Sequence, residues 1–310
     1  MRIVTLLARH GTRKYPAALE ALTELFVRTL PGVEHEIVVV DNALPAGHEQ
    51  RLATQAVLIG GDNRAWEFTA WECGLAWLGS RLGTFDFVHL ATSAFQALPA
   101  PYLERFNPAM LAAVAGRAVA VGHIDCYDEP VAVFGRRSRH WLRSSCLFLS
   151  PAGLERLGRL ATLGAGRGGA EKEAAEAELF SGDPAAPFRP EAPVSARYRR
   201  YILDWLTGPG TGQGTLWHSR FTLAADTLPF FEAKATAILN EHLLSLRLGE
   251  QGCTLVDAIW LDSRVRAGLP VAFLPSWQRQ LAGRDICAIR VRGPLGRCLV
   301  RWYRRLIPMR

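Results

Sequence analysis

Short apolar runs and helical stripes alternate through the first half of this chain. Residues 3–7, 37–40, 56–59, 85–90 and 118–122 are apolar runs, mostly without polar alternation, the habit of strands buried on both faces of a parallel sheet. Between them, residues 16–30 carry Leu19, Leu22, Leu25, Phe26 and Leu30 at helical spacing, and 66–82 and 102–114 read as helices. Strands alternating with helices predict βαβ units, an α/β fold in which a mostly parallel sheet is flanked by helices. After residue 164 the composition changes: 165–178 is rich in Ala, Gly and Glu and 182–193 in Pro, so a mobile loop is expected over about 164–195. A second Gly-rich stretch, 207–214, precedes Trp217-His218-Ser219-Arg220, and helical periodicity resumes over 230–248.

Ligands of an open parallel sheet bind at the C-terminal edge of its strands. The strand Ile37-Val38-Val39-Val40 ends on Asp41 and Asn42, and the strand Ala56-Val57-Leu58-Ile59 runs into Gly60-Gly61-Asp62-Asn63-Arg64. Two neighbouring strand ends therefore present acceptors and donors to one ligand, read here as a nucleotide.

With 310 residues, 49% hydrophobic and 21% charged, the chain is long enough for one large α/β domain with an appendage. We divide it into a domain over 1–262 and a basic amphipathic extension over 263–310. In the last part of that extension Arg290, Arg292, Arg297, Arg301, Arg304, Arg305 and Arg310 alternate with apolar residues, Trp302 and Tyr303 among them. Such a segment suits peripheral contact with a membrane surface. No nucleic-acid motif accompanies the basic residues, so no nucleic-acid partner is expected. No apolar run is long enough to span a bilayer and the N-terminus opens directly into a strand, so a cytoplasmic location is expected, peripheral at the inner face of the plasma membrane. The six cysteines lack CxxC or Cys/His spacing and read as free thiols.

The order of these elements, the strand ending Val40-Asp41-Asn42, the Gly61-Asp62-Asn63-Arg64 segment and a late Asn240-Glu241-His242-Leu243-Leu244-Ser245 resemble nucleotide-sugar-dependent glycosyltransferases of the GT-A type, the inverting family of bacterial polysaccharide synthesis. The resemblance covers roughly 1–260 and implies a Rossmann-like GT-A sheet, a nucleotide-sugar donor, and a glycan or lipid-linked acceptor. It implies that Asp41 and Asn42 hold the nucleoside, that Asn63 and Arg64 hold ribose or diphosphate, that Ser93 lines the donor pocket, and that Glu241 is the general base. The family's Asp-x-Asp, which would hold Mn²⁺ or Mg²⁺, should follow the strand 85–90. Here Leu90-Ala91-Thr92-Ser93-Ala94 offers no carboxylate. No metal ligands are assigned, and Arg9, Arg13, Lys14 or Arg64 would neutralise the diphosphate instead. The acceptor side is expected to include His140, in a run that resembles the family's His-x-x-Ser segment, with Trp217, His218 and His242.

Two rival readings stand beside this one. Arg9-His10-Gly11-Thr12-Arg13 matches the Arg-His-Gly-x-Arg run of histidine phosphatases, with His123-Ile124-Asp125 or Glu241-His242 as the distal pair. The other is a glycosyltransferase-like protein without catalysis.

Overall fold

A computed structural model describes residues 1–95, 97, 100–164, 178–208, 221–282 and 284. One eight-stranded sheet organises them, in the order β3-β4-β2-β1-β5-β7-β6-β8. The strands are β1 (Arg2–Arg9), β2 (Glu34–Asp41), β3 (Glu49–Ala53), β4 (Ala56–Gly60), β5 (Phe87–Thr92), β6 (Val119–Val133), β7 (Arg136–Leu149) and β8 (Thr254–Asp257). The pairs β1/β2, β1/β5, β2/β4 and β6/β8 are parallel, whereas β3/β4, β5/β7 and β6/β7 are antiparallel.

The parallel half is where the apolar runs placed it. Val38, Val39 and Val40 are each at most 1% exposed because helices cover both faces of β2. One face packs under α2 (Glu67–Leu78), α4 (Pro151–Leu157) and α6 (Leu228–Glu250). The other packs under α1 (Ala18–Thr29), α3 (Pro108–Ala112) and α7 (Ala258–Arg266). A third cluster joins α5 (Ala196–Leu206) to the first turns of α6 and the far end of the β6/β7 hairpin.

Several expected elements differ in extent. The helix expected over 102–114 is a 3₁₀ turn at Leu103–Arg105 and the short α3, because Asn107 caps a new start with Pro108 at its first position. The His140 run that resembles the family's His-x-x-Ser segment belongs to β7. A two-residue turn at Phe134-Gly135, both with positive φ, pairs it with β6. β3 and β8 were not expected: β3 is exposed throughout and lacks the apolar signal, and β8 is four residues long. Within the expected 164–195 loop, the described part 178–195 is packed, with Leu179, Phe180, Phe188 and Val194 buried.

Of the 263–310 extension, the described residues return to the sheet. Helix α8 (Trp277–Gln280) sets Gln280 against β8, where its Oε1 accepts from Asp257 N (2.7 Å) and its Nε2 donates to the Leu255 carbonyl (3.0 Å). Arg284 reaches Asp257 Oδ2 at 2.7 Å and the Ile124 carbonyl at 2.9 Å. The later basic residues lie outside the described residues. Among the described residues no helix is long and apolar enough to cross a membrane.

Gly60 closes β4 where the β2–β3 connection folds back over it. A Cβ there would sit 1.8 Å from the Pro45 carbonyl oxygen, so backbone must move. Gly60→Ala is expected to destabilise the protein by about 1–3 kcal/mol. A urea melt with a lowered midpoint and an unchanged m-value is the check; an unchanged midpoint would contradict the close approach.

Candidate functional site

The C-terminal ends of β4, β2, β1 and β5 meet at one edge, with Arg9 level with Asp41 and Asp41 level with Gly60. Ser93 N continues the ladder past β5 by donating to the Ala8 carbonyl at 2.9 Å. Asp41, 3% exposed, is the organiser of this edge. Its Oδ2 accepts from Arg9 Nε at 2.7 Å, and its Oδ1 accepts from Gly11 N at 2.8 Å and Ala43 N at 3.0 Å. Burial alone would raise the Asp41 pKa, but these three donors hold it below the usual carboxylate value. The Arg9-His10-Gly11 run is thus built around Asp41, with Arg9 and Gly11 turned to the carboxylate and His10 left exposed.

Asn42 and Asn63 are brought together, Asn42 Nδ2 donating to Asn63 Oδ1 (3.1 Å) and to the Trp66 carbonyl (3.0 Å). Asn42 Oδ1 is buried without a hydrogen-bond partner among the described residues. Gly61 is what admits it, since a Cβ at 61 would lie 2.2 Å from that oxygen. Arg64 closes on Asp62 through Nε (2.6 Å), turning the loop back on itself. Trp66 then enters α2 with φ +55°, a strained value for a bulky residue, of the kind found where a ligand site over-determines the backbone.

Helix α6 lays Lys234, Glu241 and Ser245 along one stripe, since seven and four residues are close to whole turns. Lys234 Nζ lies 4.4 Å from the Trp66 ring centroid, and Lys234 and Glu67 oppose each other's burial shifts: the lysine is lowered by burial and the glutamate raised by it. Glu241 sits against the C-terminal part of β7, where Ser144 N donates to its Oε1 at 2.5 Å. Burial, with the Glu67 and Asp125 carboxylates adding to it, raises Glu241 to about 7, against the pull of the Ser144 hydrogen bonds. A carboxyl group at that value gains and loses its proton near neutral pH, which is what a general base needs.

The structure also assembles a charge network that the sequence did not announce. β7 bulges at Arg143-Ser144-Ser145, where the pairing shifts by several residues opposite His123 of β6. Bulges re-aim side chains beside functional sites. Here Arg143 Nε donates to Asp125 Oδ2 at 2.5 Å, His123 Nε2 lies 3.5 Å from Asp125 Oδ1, and Arg284 Nη2 lies 2.7 Å from the same His123 nitrogen. Tyr102 stacks on His123 with ring centroids 4.8 Å apart. Burial would raise Asp125, but Arg143 and His123 hold its carboxyl far below the usual range. The His123-Ile124-Asp125 triplet was the only trace of this in the sequence.

The acceptor-side residues separate. His140 stacks on Trp277 at 4.8 Å and lines a different cleft, with Ser138, Ser245, Cys253 and Ser276. His242 is 1% exposed, enclosed by the rings of Tyr127, Trp141 and Tyr198, with neither ring nitrogen hydrogen-bonded among the described residues. Trp217 and His218 lie outside the described residues.

The donor set does not fit a divalent cation. After β5 stand Thr92, Ser93 and Ala94, and Asp62, in the loop after β4, is engaged by Arg64. Hydroxyls alone do not supply the charge that Mg²⁺ or Mn²⁺ selects. Among the described residues no group of three His, Cys, Asp or Glu side chains is arranged to hold a metal.

No family model matches this chain, and no curated protein matches it. Among solved structures it is similar to a mannosyltransferase from Pyrobaculum calidifontis in complex with GDP-mannose and Mn²⁺, at 16% identity and a TM-score of 0.36, over 93% of this chain and 82% of that one.

Proposed function

We propose that this protein is a glycosyltransferase that passes a sugar from a nucleoside-diphosphate donor to a hydroxyl of a glycan or lipid-linked acceptor, in bacterial surface polysaccharide synthesis. The observation that carries the reading is Glu241, raised to about 7 and aimed by Ser144 N beside a strand edge whose other end is formed by Asn42 and Asn63. In this reading Asn42, Asn63 and Arg64 meet the nucleoside and ribose, Asp41 shapes their pocket through the loops it ties, and Ser93 lies between that pocket and Glu241.

The chemistry is a direct displacement with inversion. The acceptor oxygen forms its bond to the anomeric carbon while Glu241 takes the hydroxyl proton, and the bond to the donor's phosphate oxygen breaks with its electron pair leaving on the diphosphate. Work takes place at the inner face of the plasma membrane, to which the arginines of 285–310 draw the enzyme.

The test is release of nucleoside diphosphate from uridine, guanosine, cytidine and thymidine diphosphate sugars, with a glycan acceptor, in EDTA and in Mn²⁺. One donor consumed in acceptor-dependent fashion is expected, with release lowered in Asn42→Ala. Hydrolysis of p-nitrophenyl phosphate that is lost in His10→Ala would overturn the reading in favour of a phosphatase.

A further inference from the structure

We infer that the exposed apolar loop 267–275, between α7 and α8, inserts into the headgroup boundary of an anionic lipid bilayer. A membrane location is part of the function proposed above; the loop rests on observations of its own.

None of the nine residues 267–275 carries a polar side chain. Val271 and Leu274 are half-buried and pack onto the cluster beneath α1, α3 and α7, which fixes the loop on the body of the protein. Leu269 and Phe273 stand open instead, 45% and 74% exposed. One exposed apolar side chain is ordinary, but a surface loop without a single polar one marks a contact surface.

The backbone of the loop is prepared for a medium poorer in water. Arg264 Nη2 donates to the Pro270 carbonyl at 3.1 Å, and Arg117 Nη1 donates to the Val271 carbonyl at 2.7 Å. Gly268 N and Leu269 N donate to the Val265 and Arg264 carbonyls, both at 3.0 Å, and the Pro275 carbonyl accepts from Gln280 Nε2 at 2.9 Å. Peptide groups that enter the lipid boundary unpaired are costly, so partners within the chain favour entry.

Charge selects the bilayer over a protein partner. From Ser263 to Leu281 the chain carries Arg264, Arg266 and Arg279 and no acid, and the arginines of 285–310 follow. Cations beside an apolar insertion suit anionic headgroups. A protein interface would call for about one hydrogen bond per 100–200 Å², and the side chains of this loop offer none. Arg117 stands two residues before β6, which runs parallel to β1, so the loop lies toward the edge of the sheet opposite Asp41. The strand ends at Asp41 then face away from the lipid and stay open to a soluble glycan.

The experiment is co-sedimentation of the full chain with vesicles of phosphatidylcholine alone and of phosphatidylcholine with phosphatidylglycerol, beside nucleotide-sugar turnover on a soluble glycan acceptor. Wild type is expected to bind the anionic vesicles more tightly, and Leu269→Ser/Phe273→Ser to lose about tenfold in that binding with circular dichroism and turnover unchanged. The arginines of 285–310 can hold the variant by charge alone, so both proteins are also spun at high salt, where screening weakens that contribution and the difference between them should widen. A loss of less than twofold at both salt concentrations overturns the loop, as does wild type that binds neither vesicle. Self-association of wild type in sedimentation velocity without lipid, abolished in the variant, assigns the loop to a second copy of the chain and overturns the bilayer. Loop-dependent vesicle binding with no nucleotide sugar consumed leaves the loop standing and removes the transferase reading.

Discussion

Glu241→Gln will lower sugar transfer by about 10²–10⁴-fold with donor affinity unchanged, the usual worth of a positioned general base. In the wild type the rate will rise with pH and level off above about 7, because only the deprotonated carboxylate accepts the acceptor's proton. The same substitution has a signature in stability. A carboxyl group at about 7 in the fold and near 4.5 in the unfolded chain favours the fold fully below 4.5, and that contribution is lost as pH rises through 7. The loss amounts to ~3 kcal/mol, since each pKa unit is worth about 1.36 kcal/mol. Glutamine never ionises, so the variant will exceed the stability of wild type at pH 8, and by less at pH 6, while being inactive. Urea melts at the two pH values, beside the transfer assay, read both parts. Full turnover in the variant, or equal stability at pH 8, would remove Glu241 as the buried base.

The second large effect is acid unfolding. Five of the described histidines have their pKa lowered, each chiefly by burial: His35 to about 3, His140 and His242 to about 4, His123 below its ordinary value and His89 well below it. The unfolded chain takes up protons at these positions below pH 6.5 while the fold does not, so their contribution is present above 6.5 and lost as pH falls. Glu67 and Glu241, raised in the fold, offset part of the loss. A net uptake of up to three protons, five at the histidines less two at the glutamates, removes up to about 4 kcal/mol per pH unit. Against a total stability of roughly 5–15 kcal/mol, the transition should be complete within about two units below 6.5. Circular dichroism and tryptophan fluorescence should lose their native signals together near pH 5; native signals at pH 4 would show that water reaches these rings.

His35 and His89 explain why a buried histidine need not be a catalytic one. Thr5 Oγ1 lies 2.7 Å from His35 Nε2 and 3.0 Å from His89 Nδ1, and His89 Nε2 lies 3.1 Å from Cys146 Sγ. The chain of contacts crosses β2, β1, β5 and β7 inside the core, beneath Phe26 and Phe148 stacked on the two rings.

What could be read from the sequence was the half of the fold in which burial on both faces writes long apolar runs. β1, β2, β4 and β5 and the helices between them carry that signal, and the strand ends at Asp41, Asn42 and Asn63 followed from it. The β6/β7 hairpin carries the opposite signal. Its outer half reads Arg136-Arg137-Ser138-Arg139-His140 because one face is open, and open faces look like loops. Of the charge network only His123-Ile124-Asp125 is local, since Arg143, Asp257 and Arg284 come from separate parts of the chain and join it through pairing of β6 with β7 and β8 and through the Arg284 contacts. Asp41 was legible as a strand end, yet its engagement by Gly11 and Ala43 depends on how two loops close, which no residue spacing encodes.

Arg284, locked to the fully buried Asp257, also meets His123, whose other neighbour is Asp125, so one residue near the end of the described chain stitches β8 to β6. Cutting that stitch would leave Asp257 as an uncompensated buried charge at a cost of about 3–5 kcal/mol, and a chain clipped ahead of residue 284 would be destabilised by that amount.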